Sequence, residues 1–133
     1  QVVYNSIKKR KMKILKCHCG SIEAEIKISG KIENFLRCNC SLCKRRGAVM
    51  SLVKNENFKI IKGKERLKMY QFHTNVAKHY FCLNCGIYTH HNPRSNPAMT
   101  GFNLGCIDSI NTFELDAVKV NDGQNHPLDK KNK

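Results

Sequence analysis

Between Ser21 and Ile28 the chain reads SIEAEIKI, with apolar and polar residues in strict alternation. Ile22, Ala24, Ile26 and Ile28 fall on one face of an extended strand; Glu23, Glu25 and Lys27 fall on the other. This period of two marks a half-buried β-strand. Shorter segments of similar character follow one another along the chain. Strands are predicted at Lys13–Cys17, Ile32–Arg37, Phe58–Lys62, Leu67–His73, Val76–Phe81, Ile87–His91 and Met99–Ile107, and a last one at Phe113–Val120. Gly47–Val53, GAVMSLV, is almost continuously apolar, as a strand covered on both faces would be. Turn-forming residues separate these runs: Ser29-Gly30-Lys31, Lys54-Asn55-Glu56-Asn57, and the loop from Pro93 to Pro97. No segment sustains the 3.6-residue period of a long helix, and no repeat is present. The pattern predicts a mainly β, single-domain protein of many short strands. The domain is expected over residues 13–120, after a basic extension at 1–12 and before a polar basic tail at 121–133, where the chain is expected to fray.

Composition changes this picture in two respects. The 133 residues suffice for one core, and no apolar run approaches the ~20 residues of a membrane helix. The basic start has no apolar run behind it, so no secretory signal is read and a cytoplasmic location is expected. The net charge of +14 is concentrated in part at the ends: residues 1–16 carry six Lys or Arg and no acid. A basic protein attracts anions, from nucleic acid to small anionic substrates.

Eight cysteines in this length carry more information. Without a secretory signal they point to metal or catalytic chemistry rather than disulfides. Cys17-His18-Cys19 and Cys82-Leu83-Asn84-Cys85 are half-sites of two ligands each, and together they complete a four-cysteine zinc site that closes a long loop. Cys38, Cys40 and Cys43, in RCNCSLCKRR, lie inside that loop and supply three ligands. Three thiolates can leave a zinc position open to an exchangeable ligand, the pattern of a reactive site. With a fourth protein ligand, such as Cys106 or a histidine, the site would instead be closed and structural.

The ordered set CHCG, CNCSLC and FCLNCG, followed by a proline-bearing loop, resembles the glutathione-dependent formaldehyde-activating enzyme family. YQFHTNVAKHYFCLNCGIYTHHNPRSNP is similar to its centromere protein V branch, and the resemblance spans Leu15 to Asp108. It implies a β-tent-type fold of mixed sheets around a structural zinc on Cys17, Cys19, Cys82 and Cys85. It implies a labile, catalytic zinc on Cys38, Cys40 and Cys43. The implied reaction adds glutathione to formaldehyde, giving S-hydroxymethylglutathione, a carbon–sulfur lyase chemistry.

Glutathione is anionic, so Lys44, Arg45, Arg46 and Arg94 are candidate partners for its carboxylates, and Asn96 and Asn103 for its hydrogen-bonding groups. His90 and His91 point to opposite faces of a strand, so at most one can address a site. His18 and His79 adjoin cysteine ligands in sequence and are candidates to support them. Phe72, Tyr80, Phe81 and Phe102 are read as core. Two other functions fit the same residues. One is a zinc-stabilised basic module for nucleic acid or another polyanion, binding mainly by charge. The other is redox sensing through oxidation of the three-cysteine cluster.

Overall fold

The computed structural model describes residues 11–32 and 34–130. The expected N-terminal extension lies, up to residue 10, outside the described residues. The strands are β1 Lys11–Lys16, β2 Glu23–Ile28, β3 Leu36–Cys38, β4 Met50–Lys54 and β5 Phe58–Lys62. After them come β6 Leu67–Tyr70, β7 Lys78–Cys82, β8 Tyr88–Asn92, β9 Met99–Asn103 and β10 Lys119–Asn121. Two short helices join them, α1 Ser41–Arg46 and α2 Pro127–Lys130.

A three-stranded sheet has the order β1-β2-β5, and a seven-stranded sheet the order β10-β3-β4-β9-β8-β7-β6. All pairs are antiparallel except β10 with β3, so the large sheet is mixed. The alternation at Ser21–Ile28 appears as expected: Ala24, Ile26 and Ile28 are buried and Lys27 is exposed. These side chains and Leu15 of β1 pack against Phe102 of β9 and against Leu104, Cys106 and Ile107 just beyond it. The main core therefore lies between the two sheets. Burying each such large apolar side chain contributes roughly 1.5–3 kcal/mol before entropy is counted. Two smaller apolar clusters are built on sulfur, one around Cys17, Ile22 and Cys82, the other around Cys43, Met50 and Tyr88.

Four expectations need correction. The strand expected over Ile32–Arg37 begins only at Leu36. The strand expected over Met99–Ile107 ends at Asn103, whose side chain accepts from Gly105 N and turns the chain into a 3-10 turn. Leu67–His73 stops at Tyr70, because His73 and Asn75 adopt positive φ, which no strand tolerates. Phe113–Val120 holds a 3-10 turn at Thr112–Glu114 and only then the short β10. Phe113 is 98% exposed there and supplies no core face.

The chain also stays engaged beyond Val120, where fraying was expected. Asn39 N donates to Asn121 O, Asn39 Nδ2 to Asp122 Oδ1, and Gln124 N to Asn39 Oδ1. These bonds lay Asn121–Gln124 over the three-cysteine cluster as a strap. A β-carbon on Gly123 would overlap Cys38 Sγ, so only glycine fits between strap and sulfur.

Candidate metal centres and the adjoining cavity

Cys17 and Cys19 leave the end of β1, and Cys82 and Cys85 flank the turn after β7. Their ligand atoms all lie within 4.8 Å of one another. Cys17 Sγ is 3.6 Å and Cys82 Sγ 3.7 Å from Cys19 Sγ. Four sulfurs bound tetrahedrally at the zinc–thiolate distance would stand about 3.8 Å apart, so the set fits such an ion. Backbone N–H groups already point at the sulfurs: Ile22 N to Cys17 Sγ, and Asn84 N and Cys85 N to Cys82 Sγ. Ser21 Oγ lies 2.9 Å from Cys19 Sγ and 3.3 Å from Cys82 Sγ. Such donors stabilise thiolate charge and orient metal ligands. His18 is exposed between its two cysteines.

Cys38, Cys40 and Cys43 form a second group of the same compactness. Among the described residues no fourth Cys, His, Asp or Glu joins it. Cys106 does not close it: this thiol is buried in the main core, within reach of Tyr88 O, and burial pushes its pKa up to about 12. Helix α1 organises the triad. Cys40 is its N-cap, with Sγ accepting from Cys43 N, and Gly47 ends it in the left-handed region. Lys44, Arg45 and Arg46 fill its last turn, where positive charge complements the helix dipole. The three sulfurs compete for protons through the hydrogen bonds between them. Hydrogen bonding from Cys38 and then Cys43 holds the Cys40 thiol far below its ordinary range. Hydrogen bonding with Cys38 and then Cys40 pushes Cys43 up, and the bond to Cys40 pushes Cys38 up. A divalent cation removes this competition by taking all three as thiolates.

A cavity of about 730 Å³ opens beside the triad, within the usual range for small-molecule sites. Cys38, Cys40, Cys43, His79, His91, Arg94 and Asn96 line it together with the strap. Arg46 ties the triad to the large sheet. Its Nη2 donates to Cys43 Sγ at 3.2 Å, its Nη1 to His79 Nδ1 at 3.2 Å, and its guanidinium lies 3.7 Å over the Tyr88 ring.

The histidines sit in cross-strand rows. His79 of β7 is opposite His91 of β8, which is opposite Gly101 of β9. The two rings are near-parallel, with centroids 5.5 Å apart. A β-carbon at Gly101 would run into the His91 ring, so glycine makes room for it. His90 lies in the neighbouring row, stacked on Tyr80 with centroids 4.5 Å apart and packed against Phe58. Simple alternation would put Tyr88 and His91 on opposite faces. The register shift between β7 and β8 makes Thr89 an extra residue, and the bulge brings the Tyr88 hydroxyl to His91 Nδ1. Burial is the main cause that lowers all three histidines, His79 and His90 to about 4 and His91 to about 3. The Arg46 guanidinium adds to this at His79 and His91. All three are neutral imidazoles at neutral pH.

The sequence-predicted residues thus divide. Arg94 and Asn96 share the cavity with the triad. Arg45 is exposed, donates to Ser41 O of its own helix, and is not itself part of the cavity lining. Asn103 donates to Tyr88 O and caps the turn after β9. Phe102 is core as expected, while Phe72 lines the cavity. Sequence reasoning passed over Tyr88, Gly101, Gly123 and helix α1. The helix had a visible signature, an Asn-Cys-Ser start and a Lys-Arg-Arg-Gly end. Tyr88 had none, since its facing depends on a bulge.

Fold and site together define a mainly β protein with two cysteine clusters that could hold metal, a four-sulfur set and a three-sulfur set with a cavity against the latter. A family model described as glutathione-dependent formaldehyde-activating enzyme matches residues 12–121. The crystal structure of a Rhodobacter sphaeroides protein is similar at 40% identity and a TM-score of 0.77, covering 81% of this chain and 99% of that one. The chain belongs to the glutathione-dependent formaldehyde-activating enzyme family.

Proposed function

We propose that this protein is a zinc-dependent enzyme that joins the thiol of glutathione, or of a closely related anionic thiol, to formaldehyde. The observation that carries this reading is the three-cysteine cluster, without a fourth ligand among the described residues, opening onto a cavity that Arg94 and Asn96 also line. Zinc held by Cys38, Cys40 and Cys43 would supply an electrophilic centre with one exchangeable position, where an incoming thiol gives up its proton.

The chain's own residues do the rest. Arg94 offers a fork of donors to a substrate carboxylate, and Asn96 offers an amide to the peptide groups. The strap covers the triad from one side and leaves the cavity side for approach. Arg46 holds Cys43 Sγ from behind and steadies a ligand that must stay thiolate. In the reaction a sulfur–carbon bond forms, the carbonyl π pair moves onto oxygen, and that oxygen gains a proton. The four-cysteine set ties the end of β1 to the turn after β7 and serves the fold. Chemistry of this kind is that of a carbon–sulfur lyase. A small thiol is favoured over a polyanion because Arg94, with Asn96, lines a cavity of small-molecule size beside the triad.

Metal analysis with glutathione titration tests this. Two zinc ions per chain are expected, one of them readily chelated, with calorimetric glutathione binding that Cys43→Ser abolishes. Two equally inert ions and no heat on adding glutathione would sink the proposal.

A further inference from the structure

The two imidazoles on the cavity wall are each gripped from behind by a donor. His79 Nδ1 faces Arg46 Nη1, and a guanidinium can only donate, so His79 Nδ1 must accept. His91 Nδ1 faces the Tyr88 hydroxyl, which also lies 3.3 Å from Met50 Sδ. A thioether is a weak acceptor, so the phenol proton goes to the imidazole. Both rings must then carry their own proton on Nε2. They are near-parallel, adjacent on paired strands, and line the same cavity as the triad. The Arg46 guanidinium bridges His79 and the Cys43 sulfur.

We propose that the paired Nε2–H groups of His79 and His91 form the site that binds the carbonyl oxygen of the small aldehyde and stabilises the alkoxide formed when the thiolate attacks. Arg46 and Tyr88 are positioning residues that lock the two tautomers. The inference rests on the functional reading above and deepens it. The balance is simple: sulfur bonds to carbon, the π pair becomes the oxygen's lone pair, and the thiol's proton reaches that oxygen through solvent. The imidazoles keep their protons throughout. Their neutral state suits the task, since a fixed neutral donor placed where charge develops needs no reorganisation. The bulge at Thr89 and the side-chain-free Gly101 acquire a purpose as well. One brings Tyr88 to His91, and the other lets the ring lie against β9.

The test has two independent arms. Long-range proton–nitrogen NMR of the metal-loaded wild-type protein at pH 7 should show both histidines protonated at Nε2 alone. A proton on Nδ1 of either ring overturns the proposal, and this arm depends on no variant folding. In the second arm, His91→Leu should bind glutathione with wild-type affinity and turn over formaldehyde about 100-fold more slowly, the usual cost of losing one such donor. His91→Gln, whose amide N–H reaches a similar point, should recover most of that loss. Tyr88→Phe should lower kcat while leaving KM for the thiol unchanged and give His91 a mixed tautomer signal. Unchanged turnover in His91→Leu, with glutathione still bound, overturns the carbonyl site alone. Failure of the wild-type protein to bind glutathione instead defeats the functional reading, and the NMR arm still decides the tautomers.

Discussion

Single side chains here are set by what lies across the sheet from them. His90 and His91 are neighbours with different fates. His91 reaches the cavity, whereas His90 is sealed between Tyr80 and Phe58 with Thr89 Oγ1 2.8 Å from its Nδ1. Alternation separates them correctly. It does not say which faces the site, because that depends on pairing partners far along the chain. His90 supports a pH prediction. Its folded pKa of about 4 lies below the 6.5 of an unfolded histidine, so between these values the unfolded chain binds more protons and stability falls as pH falls. The loss from pH 7 to pH 5 should be about 2 kcal/mol from this residue. Urea unfolding at the two pH values, compared with His90→Phe, checks it: the variant should lose correspondingly less. A second prediction concerns Gly123. Gly123→Ala must displace either the strap or Cys38. It should lower metal content from two equivalents towards one while the near-native fold persists in circular dichroism.

At the scale of elements, helix α1 is the short piece on which the site turns. It spans six residues and would be marginal alone. Its position rests on Cys40 at one end, Gly47 at the other, and Cys43 buried against Met50 and Tyr88. Cys43 and Arg46 are three apart and so share a face, which lets one guanidinium bridge sulfur and His79. Arg46→Lys keeps the charge but not the fork. The variant is expected to bind the second metal 10–100-fold more weakly, as loss of a group supporting a ligand usually does. Competition with a chromogenic chelator measures this, and the four-cysteine set should be unaffected. The strands themselves were largely legible: β2, β5, β7 and β8 lie close to their expected places, and β4 forms from the later half of the apolar run Gly47–Val53. The failures, the ends of β6 and β9 and the segment before β10, share a cause. Positive φ, a side-chain cap and an exposed Phe113 ended or delayed those strands where hydrophobicity still ran on.

For the whole molecule, cysteine spacing foretold more than the apolar pattern did. The pairing of Cys17 and Cys19 with Cys82 and Cys85 was readable because two half-sites need one another. The leftover triad followed by subtraction, and its role depended on Cys106, which the core encloses. The four-cysteine set connects the small sheet's β1 to the large sheet's β7. Metal bound there is folding free energy, on the order of 10–16 kcal/mol in small zinc modules. Cys82→Ser is therefore expected to leave a largely unfolded chain, whereas Cys43→Ser leaves a folded one lacking the second ion. Circular dichroism with metal analysis separates the two cases. No helix among the described residues is long and apolar enough to cross a membrane.

The parallel pairing of β10 with β3 sets an order of assembly. The strap that closes over Cys38 comes from residues more than eighty positions downstream of it. During synthesis Cys82 and Cys85 emerge well before Gly123, so the fold-tying ion can be seated while the triad still lacks its cover. The four-cysteine set is thus complete in the chain before the strap that covers the triad has been made. A chain that stops short of Asn121 is therefore expected to keep the four-cysteine set whole and to leave Cys38 bare to solvent.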